Sequence, residues 1–182
     1  MKSKTWTMTL VLSALALTAW AVAAPEKTHL ARSVSTRKMA DSLHAVIAAN
    51  QRTYVEQLAP KLAADGGVPG HAEMLRKAGQ CIQKHGAEFS YALRSLQPID
   101  VNAGPQTQAE QEGLEFVASH PGENYYTEEE LGGRSYFTAI YAERATLPSC
   151  VDCHNRNPRS PRRDLKLGDT LGGLVVRVPL EF

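Results

Sequence analysis

The stretch Arg134-Ser135-Tyr136-Phe137-Thr138-Ala139-Ile140-Tyr141-Ala142-Glu143-Arg144-Ala145 alternates with a period of two. Tyr136, Thr138, Ile140 and Ala142 fall on one face of a strand, and Phe137, Ala139 and Tyr141 on the other. Apolar side chains occupy both faces, so the segment reads as a central strand covered on both sides. Upstream, Asn124 to Thr127 predicts a partner strand, joined to it through Glu128-Glu129-Glu130-Leu131-Gly132-Gly133. Downstream, Gly172 to Leu180 predicts another, with Leu174, Val176 and Val178 on one face and Val175 on the other. Earlier in the chain, Phe89, Tyr91, Leu93 and Leu96 alternate between Glu88 and Leu96, a strand that Pro98 ends; Ile99 to Pro105 is a turn-rich loop.

The remaining segments have helical spacing. From Ser35 to Ala64, Met39, Leu43, Val46, Ile47, Tyr54, Leu58 and Leu62 recur at three- and four-residue steps. Pro60 is expected to kink this long helix and Gly66-Gly67 to stop it, and its free face offers a route to a homodimer. A second helix is expected from His71 to His85, opened by Pro69-Gly70 and closed by Gly86. A third runs from Thr107 to Ser119, anchored by Leu114, Phe116 and Val117 and ended by His120-Pro121-Gly122. The order helix, helix, strand, helix, two strands, loop, strand predicts an α+β domain on an antiparallel sheet flanked by helices.

The chain has 182 residues, 43% hydrophobic and 21% charged, which is enough for one domain with a sizeable core. Lys2 and Lys4 precede an uncharged run from Thr5 to Ala24, and Ala21-Val22-Ala23 fits a signal peptidase site. Residues 1–23 are therefore expected to be a cleaved leader, 24–34 a flexible segment and 35–182 the domain. An exported, periplasmic location follows, with no membrane insertion after cleavage; the alternative is an uncleaved N-terminal anchor. The formal charge is +1, and removing Lys2 and Lys4 leaves 18 basic residues against 19 acidic ones. Such a balance argues against nucleic acid as a partner.

Directly after the central strand comes Cys150-Val151-Asp152-Cys153-His154. Two thiols three residues apart can each form a thioether with one vinyl group of a single haem, and the following imidazole is then held at the iron. A dithiol redox pair of the thioredoxin kind needs its C-x-x-C early in a βαβ unit, whereas here a loop and one strand follow. Zinc is disfavoured because His154 adjoins a cysteine ligand and no second ligand pair is spaced to complete a tetrahedron. Cys81 is then left over.

For the far side of the iron, one stripe of the second helix carries His71, Met74, Ala78, Cys81 and His85, flanked by Leu75 and Ile82. The stripe is about 21 Å long at the rise of an α-helix, so at most one of these residues reaches one iron. Met74 is the leading candidate, with Cys81 and His71 behind it. Met and Cys on such a stripe also serve as ordinary core residues. Beyond the motif, Arg156, Arg159, Arg162, Arg163 and Lys166 form a basic loop suited to carboxylates such as haem propionates, or simply to solvent.

The leader-like N-terminus, Phe89-Ser90-Tyr91-Ala92-Leu93-Arg94-Ser95, the Pro98-Ile99 and Asn102-Ala103 turn, Tyr125-Tyr126, Cys150 to Asn155, and Ser160 to Asp169 with Gly172-Gly173 together resemble one known family. It is the PAS-like c-type haem sensor domain, found alone and as the input region of histidine kinases, cyclases and chemoreceptors. The resemblance implies a PAS-like antiparallel sheet with a long N-terminal helix and one covalent haem c on Cys150 and Cys153. It also implies His154 as the proximal ligand and a role in redox or gas sensing through a separate partner protein. A small electron-transfer cytochrome and a periplasmic dithiol oxidoreductase are the alternatives. No catalytic acid, base or nucleophile is apparent beyond the motif, so an enzyme is not expected.

Overall fold

The computed structural model describes residues 26–58 and 70–180, with side chains from residue 35 onward in the first stretch. The expected leader over 1–23, the Pro60 kink and the Gly66-Gly67 stop lie outside the described residues. Helix α1 spans Glu26–Thr53 and passes into a π-helical turn, Tyr54–Leu58. Its 28 residues reach about 42 Å. It begins nine residues before Ser35, because no Gly or Pro interrupts residues 26–34.

Helix α2 (His71–Lys84) follows, then strand β1 (Ser90–Arg94), helix α3 (Gln108–Ser119), strands β2 (Tyr125–Leu131) and β3 (Arg134–Arg144), helix α4 (Pro148–Arg156) and strand β4 (Thr170–Pro179). The four strands form one antiparallel sheet in the order β1-β4-β3-β2, so β4, last in chain order, lies between β1 and β3. This is the expected α+β class, and it is compatible with a PAS-like sheet. Among the described residues no helix is long and apolar enough to cross a membrane.

The period-two reading of β3 holds. Phe137, Ala139 and Tyr141 join Leu174, Val176 and Val178 under α1 and α2, where Ala40, Ile47 and Leu75 complete a buried cluster. On the opposite face Ile140 and Val175 meet Leu114 and Val117 of α3. The sheet thus has helices on both faces, which is why apolar side chains line both sides of β3.

Strand β2 is longer than its sequence suggested. Glu128, Glu129 and Glu130 are in the strand, and only Gly132 and Gly133, at φ 59° and 78°, make the turn. A two-residue hairpin with both central residues at positive φ requires this glycine pair. The glutamates are tolerated because β2 is an edge strand whose one inward carboxylate, Glu129, accepts from Thr138 Oγ1 at 2.6 Å and Arg177 Nε at 2.7 Å.

Candidate functional site

Pro148 occupies the first turn of α4, where its missing N–H costs nothing, and this turn begins the helix four residues after β3 ends. The helix puts Cys150, Cys153 and His154 at positions i, i+3 and i+4, hence on one face. All three cysteines of the chain are free thiols; Cys150 is half-buried and Cys153 exposed. Asn155, next along, exchanges two 3.0 Å hydrogen bonds with the backbone of Leu165 and so closes the following loop onto α4.

His154 is half-buried, and among the described residues its ring has no hydrogen-bond partner. It lines a hollow of about 20 Å³ with Gln97, Ser160, Arg162, Leu165, Thr170 and Leu171, room for a single water. Burial lowers its pKa, so the ring is neutral at pH 7 with a lone pair to offer.

Helix α2 packs on β1, with the Tyr91 hydroxyl donating to the Leu75 carbonyl at 3.2 Å and Gly79 giving the Tyr91 ring room. The two elements run in opposite directions, which brings the start of α2 to the same end of the sheet as Gln97 and α4. His71, the first residue of α2, lies there. Its pKa is lowered by burial and, second, by the charge of His154. The His71 ring likewise has no hydrogen-bond partner among the described residues. The other described histidines are engaged. His44 stacks on Tyr141 at 3.9 Å, His85 bonds the Cys81 carbonyl at 2.8 Å, and His120 bonds the Phe116 carbonyl at 3.0 Å.

The other residues of the expected stripe are placed differently. Met74 packs against the buried cluster beneath the sheet, one turn inward from His71. Cys81 is exposed near the far end of α2, its sulfur 3.9 Å from His85 Nδ1. Of the basic loop, Arg162 is held by Asp164 at 3.1 Å and Asp169 at 3.3 Å, while Arg156, Arg159, Arg163 and Lys166 are exposed.

Two further groups stand out that the sequence did not signal. Arg144, at the end of β3 that leads into α4, donates from Nη1 to the Gly168 carbonyl at 3.0 Å, but its Nη2 is buried without a partner. Gln51 of α1 donates to Glu143 at 3.1 Å while its own Oε1 is buried and unpaired, and burial raises the Glu143 pKa. Buried polar atoms are normally satisfied, so such orphans point to a missing partner. Their nearest sequence cue is that Glu143 and Arg144 interrupt an apolar strand.

Chemically, α4 carries two thiols and an imidazole on one face, and α2 carries a second imidazole at its first residue. Among the described residues no three His, Cys, Asp or Glu side chains converge to hold a bare metal ion.

A family model described as Tll0287-like (Tll0287) matches residues 25–179. Among solved structures the chain is similar to one described as the cyanobacterial heme-protein Tll0287, at 16% identity and a TM-score of 0.48, covering 86% of this chain and 97% of that one. No curated protein matches.

Proposed function

Because the chain belongs to the Tll0287-like family, we propose that it is a haem-binding protein with one haem c attached through thioethers to Cys150 and Cys153. His154 and His71 are the residues that would hold its iron. The protein that gives the family its name is described as a heme-protein, which supports this reading.

The observation that carries it is the pairing of unengaged donors. Two free thiols share a helix face with an imidazole that has no hydrogen-bond partner among the described residues, and a second such imidazole, on α2, has its pKa lowered by the charge of the first. The donor set, two thiols and two imidazoles with no cluster able to cage a bare ion among the described residues, would suit a haem that needs few ligands from the protein. The hollow of about 20 Å³ beside His154 has room for a single water and is too small for a macrocycle. Arg144 Nη2, buried and unpaired, is suited to a propionate, in place of Arg162, which its two aspartates already occupy. Met74 is engaged in the core, so His71 takes the role expected of Met74.

When bound, the group supplies a one-electron centre. The chain's own part is to fix two neutral imidazoles on separate elements, α4 and α2. Two nitrogen ligands hold the iron at a lower potential than a thioether would. Since both elements are anchored to one sheet, a change at the site is felt by α2 and by the basic loop. We therefore read the protein as an exported redox sensor that works through a separate partner.

Mass spectrometry of the mature protein should show about 616 Da above the polypeptide. Cys150→Ala/Cys153→Ala should carry no haem after acid-acetone extraction, and covalent haem retained in that variant sinks the reading. His71→Gly should lose the six-coordinate low-spin spectrum and regain it with added imidazole. If Met74→Ala loses that spectrum and His71→Gly keeps it, Met74 is the ligand. Export predicts a mature N-terminus at Ala24, read by N-terminal sequencing.

A further inference from the structure

Charge is distributed unevenly along β3. Beside its start, α3 and β2 lie in a span, residues 108–130, that carries seven glutamates and no lysine or arginine. Beyond its end, residues 155–169 carry five basic residues against two acids. Tyr136 and Arg144 of β3 are about 27 Å apart at the rise of a strand, well beyond the screening length of about 10 Å at 0.1 M salt. The two charge fields are therefore separate.

Within the basic segment the two acids, Asp164 and Asp169, are both bonded to Arg162. Arg156, Arg159, Arg163 and Lys166 remain exposed, and their one nearby acid, Asp152, sits 3.9 Å from Arg156 with both side chains largely in solvent. Leu167, 59% exposed, adds an apolar spot among them. The segment is not a loose tail. Asn155 closes it onto α4, Gly168 N–H donates to the Ala145 carbonyl and Ala145 N–H to the Asp169 carbonyl, both at 2.9 Å, and Leu165 and Ser160 are buried pegs. A rigid display of uncompensated cations around an apolar spot lowers the ordering cost of docking. It is continuous with α4, whose Cys153 is exposed.

We propose that this segment, from Arg156 to Leu167, is the docking face for an acidic one-electron carrier protein. The inference rests on the haem reading above. In the encounter one electron leaves the reduced centre of the carrier, which is oxidised, and enters the ferric centre of this protein, which is reduced; no bond forms or breaks. The whole-chain charge of +1, or about −1 without Lys2 and Lys4, offers no attraction to an acidic protein. The local field does, and it orients the attachment helix toward the carrier.

Reduced plant-type ferredoxin, an acidic carrier near −400 mV, is a suitable probe. The rate at which it reduces the ferric holoprotein should fall about tenfold or more as ionic strength rises from about 0.01 to 0.3 M. Arg159→Glu/Arg163→Glu/Lys166→Glu should abolish that dependence, whereas Glu123→Lys/Glu130→Lys, on the acidic side, should leave it intact. A flat or rising rate in the wild type, or an unchanged slope in the triple variant, overturns the proposal, as does tighter retention on phosphatidylserine vesicles than on immobilised ferredoxin. Binding of oxidised ferredoxin, followed by NMR shifts of the segment, needs no haem. It must weaken in the triple variant even if covalent haem is absent, so the docking face and the haem reading fail separately.

Discussion

The two faces of the sheet treat buried polarity in opposite ways. On the α3 side, Glu110 is fully buried and bonds Arg177 at 2.8 Å, Arg94 at 3.1 Å and the Gln106 N–H at 2.6 Å, while Glu129 takes Thr138 and Arg177. Each charge has an opposite partner, and the network ties α3 to β1, β4 and β2. At the α4 end, two imidazoles, one guanidinium nitrogen and one amide oxygen have no hydrogen-bond partner among the described residues. A satisfied buried network fixes a fold, while a set of unsatisfied polar groups is a set reserved for something else.

The contrast makes graded predictions, the largest on the satisfied side. Glu110→Ala leaves Arg94 without a carboxylate and Arg177 with Glu129 alone, and should cost about 3 kcal/mol in denaturant unfolding; a cost under about 1 kcal/mol would show that the network does not anchor α3. Gly113→Ala places a methyl group against Ile140 Cδ1 and 2.7 Å from Tyr125 Cδ1, where α3 touches the sheet. It should cost about 1–3 kcal/mol, visible as a lowered melting temperature. Thr107 caps α3 by accepting from the Glu110 N–H at 3.1 Å, and Thr107→Ala should cost about 1 kcal/mol.

Acid titration separates the two sides by sign. Burial would raise the Glu129 pKa, but hydrogen bonds from Thr138 and Arg177 outweigh it and hold the carboxyl below its usual range. Its contribution is present above the unfolded pKa and is lost as pH falls through the folded one. Glu143 is the reverse: burial raises its pKa against the opposing Gln51 bond, so the domain gains stability as pH falls through that raised value toward the unfolded one. Glu129→Gln should flatten the acid limb of the unfolding curve, and Glu143→Gln should remove a slope at higher pH. The smallest effect belongs to the reserved side. In haem-free protein His154→Ala breaks no hydrogen bond and should change stability by no more than about 0.5 kcal/mol. A large loss there would reveal a structural role and erase the distinction.

Much of this was legible because the relevant signals are local. Period two gave β3 and β4 with their correct faces, Thr107 announced α3, and C-x-x-C-H with Pro148 before it placed two thiols and an imidazole together. What the sequence hid depended on neighbours distant in the chain. The three glutamates of β2 read as a loop because the arginine that receives Glu129 lies 48 residues away. On α2 a single stripe offered His71, Met74 and Cys81 alike. Which end meets α4 is decided by the direction in which α2 crosses β1, and periodicity carries no such information. The unpaired nitrogen of Arg144 and oxygen of Gln51 are visible only when every other partner has been placed.

The strand order β1-β4-β3-β2 sets a sequence of events for the chain as it is made. Among the described residues β1 pairs in the sheet with β4 alone, and its Leu93 faces Leu174 only after the attachment motif has already been synthesised. Until β4 arrives, the β2–β3 hairpin can form but the sheet cannot close, because the remaining pairings span long stretches of chain. During that interval α4 hangs from the end of β3 with no buried residue of its own to hold it. The motif is thus offered to any attachment machinery as an accessible peptide before β4 completes the sheet.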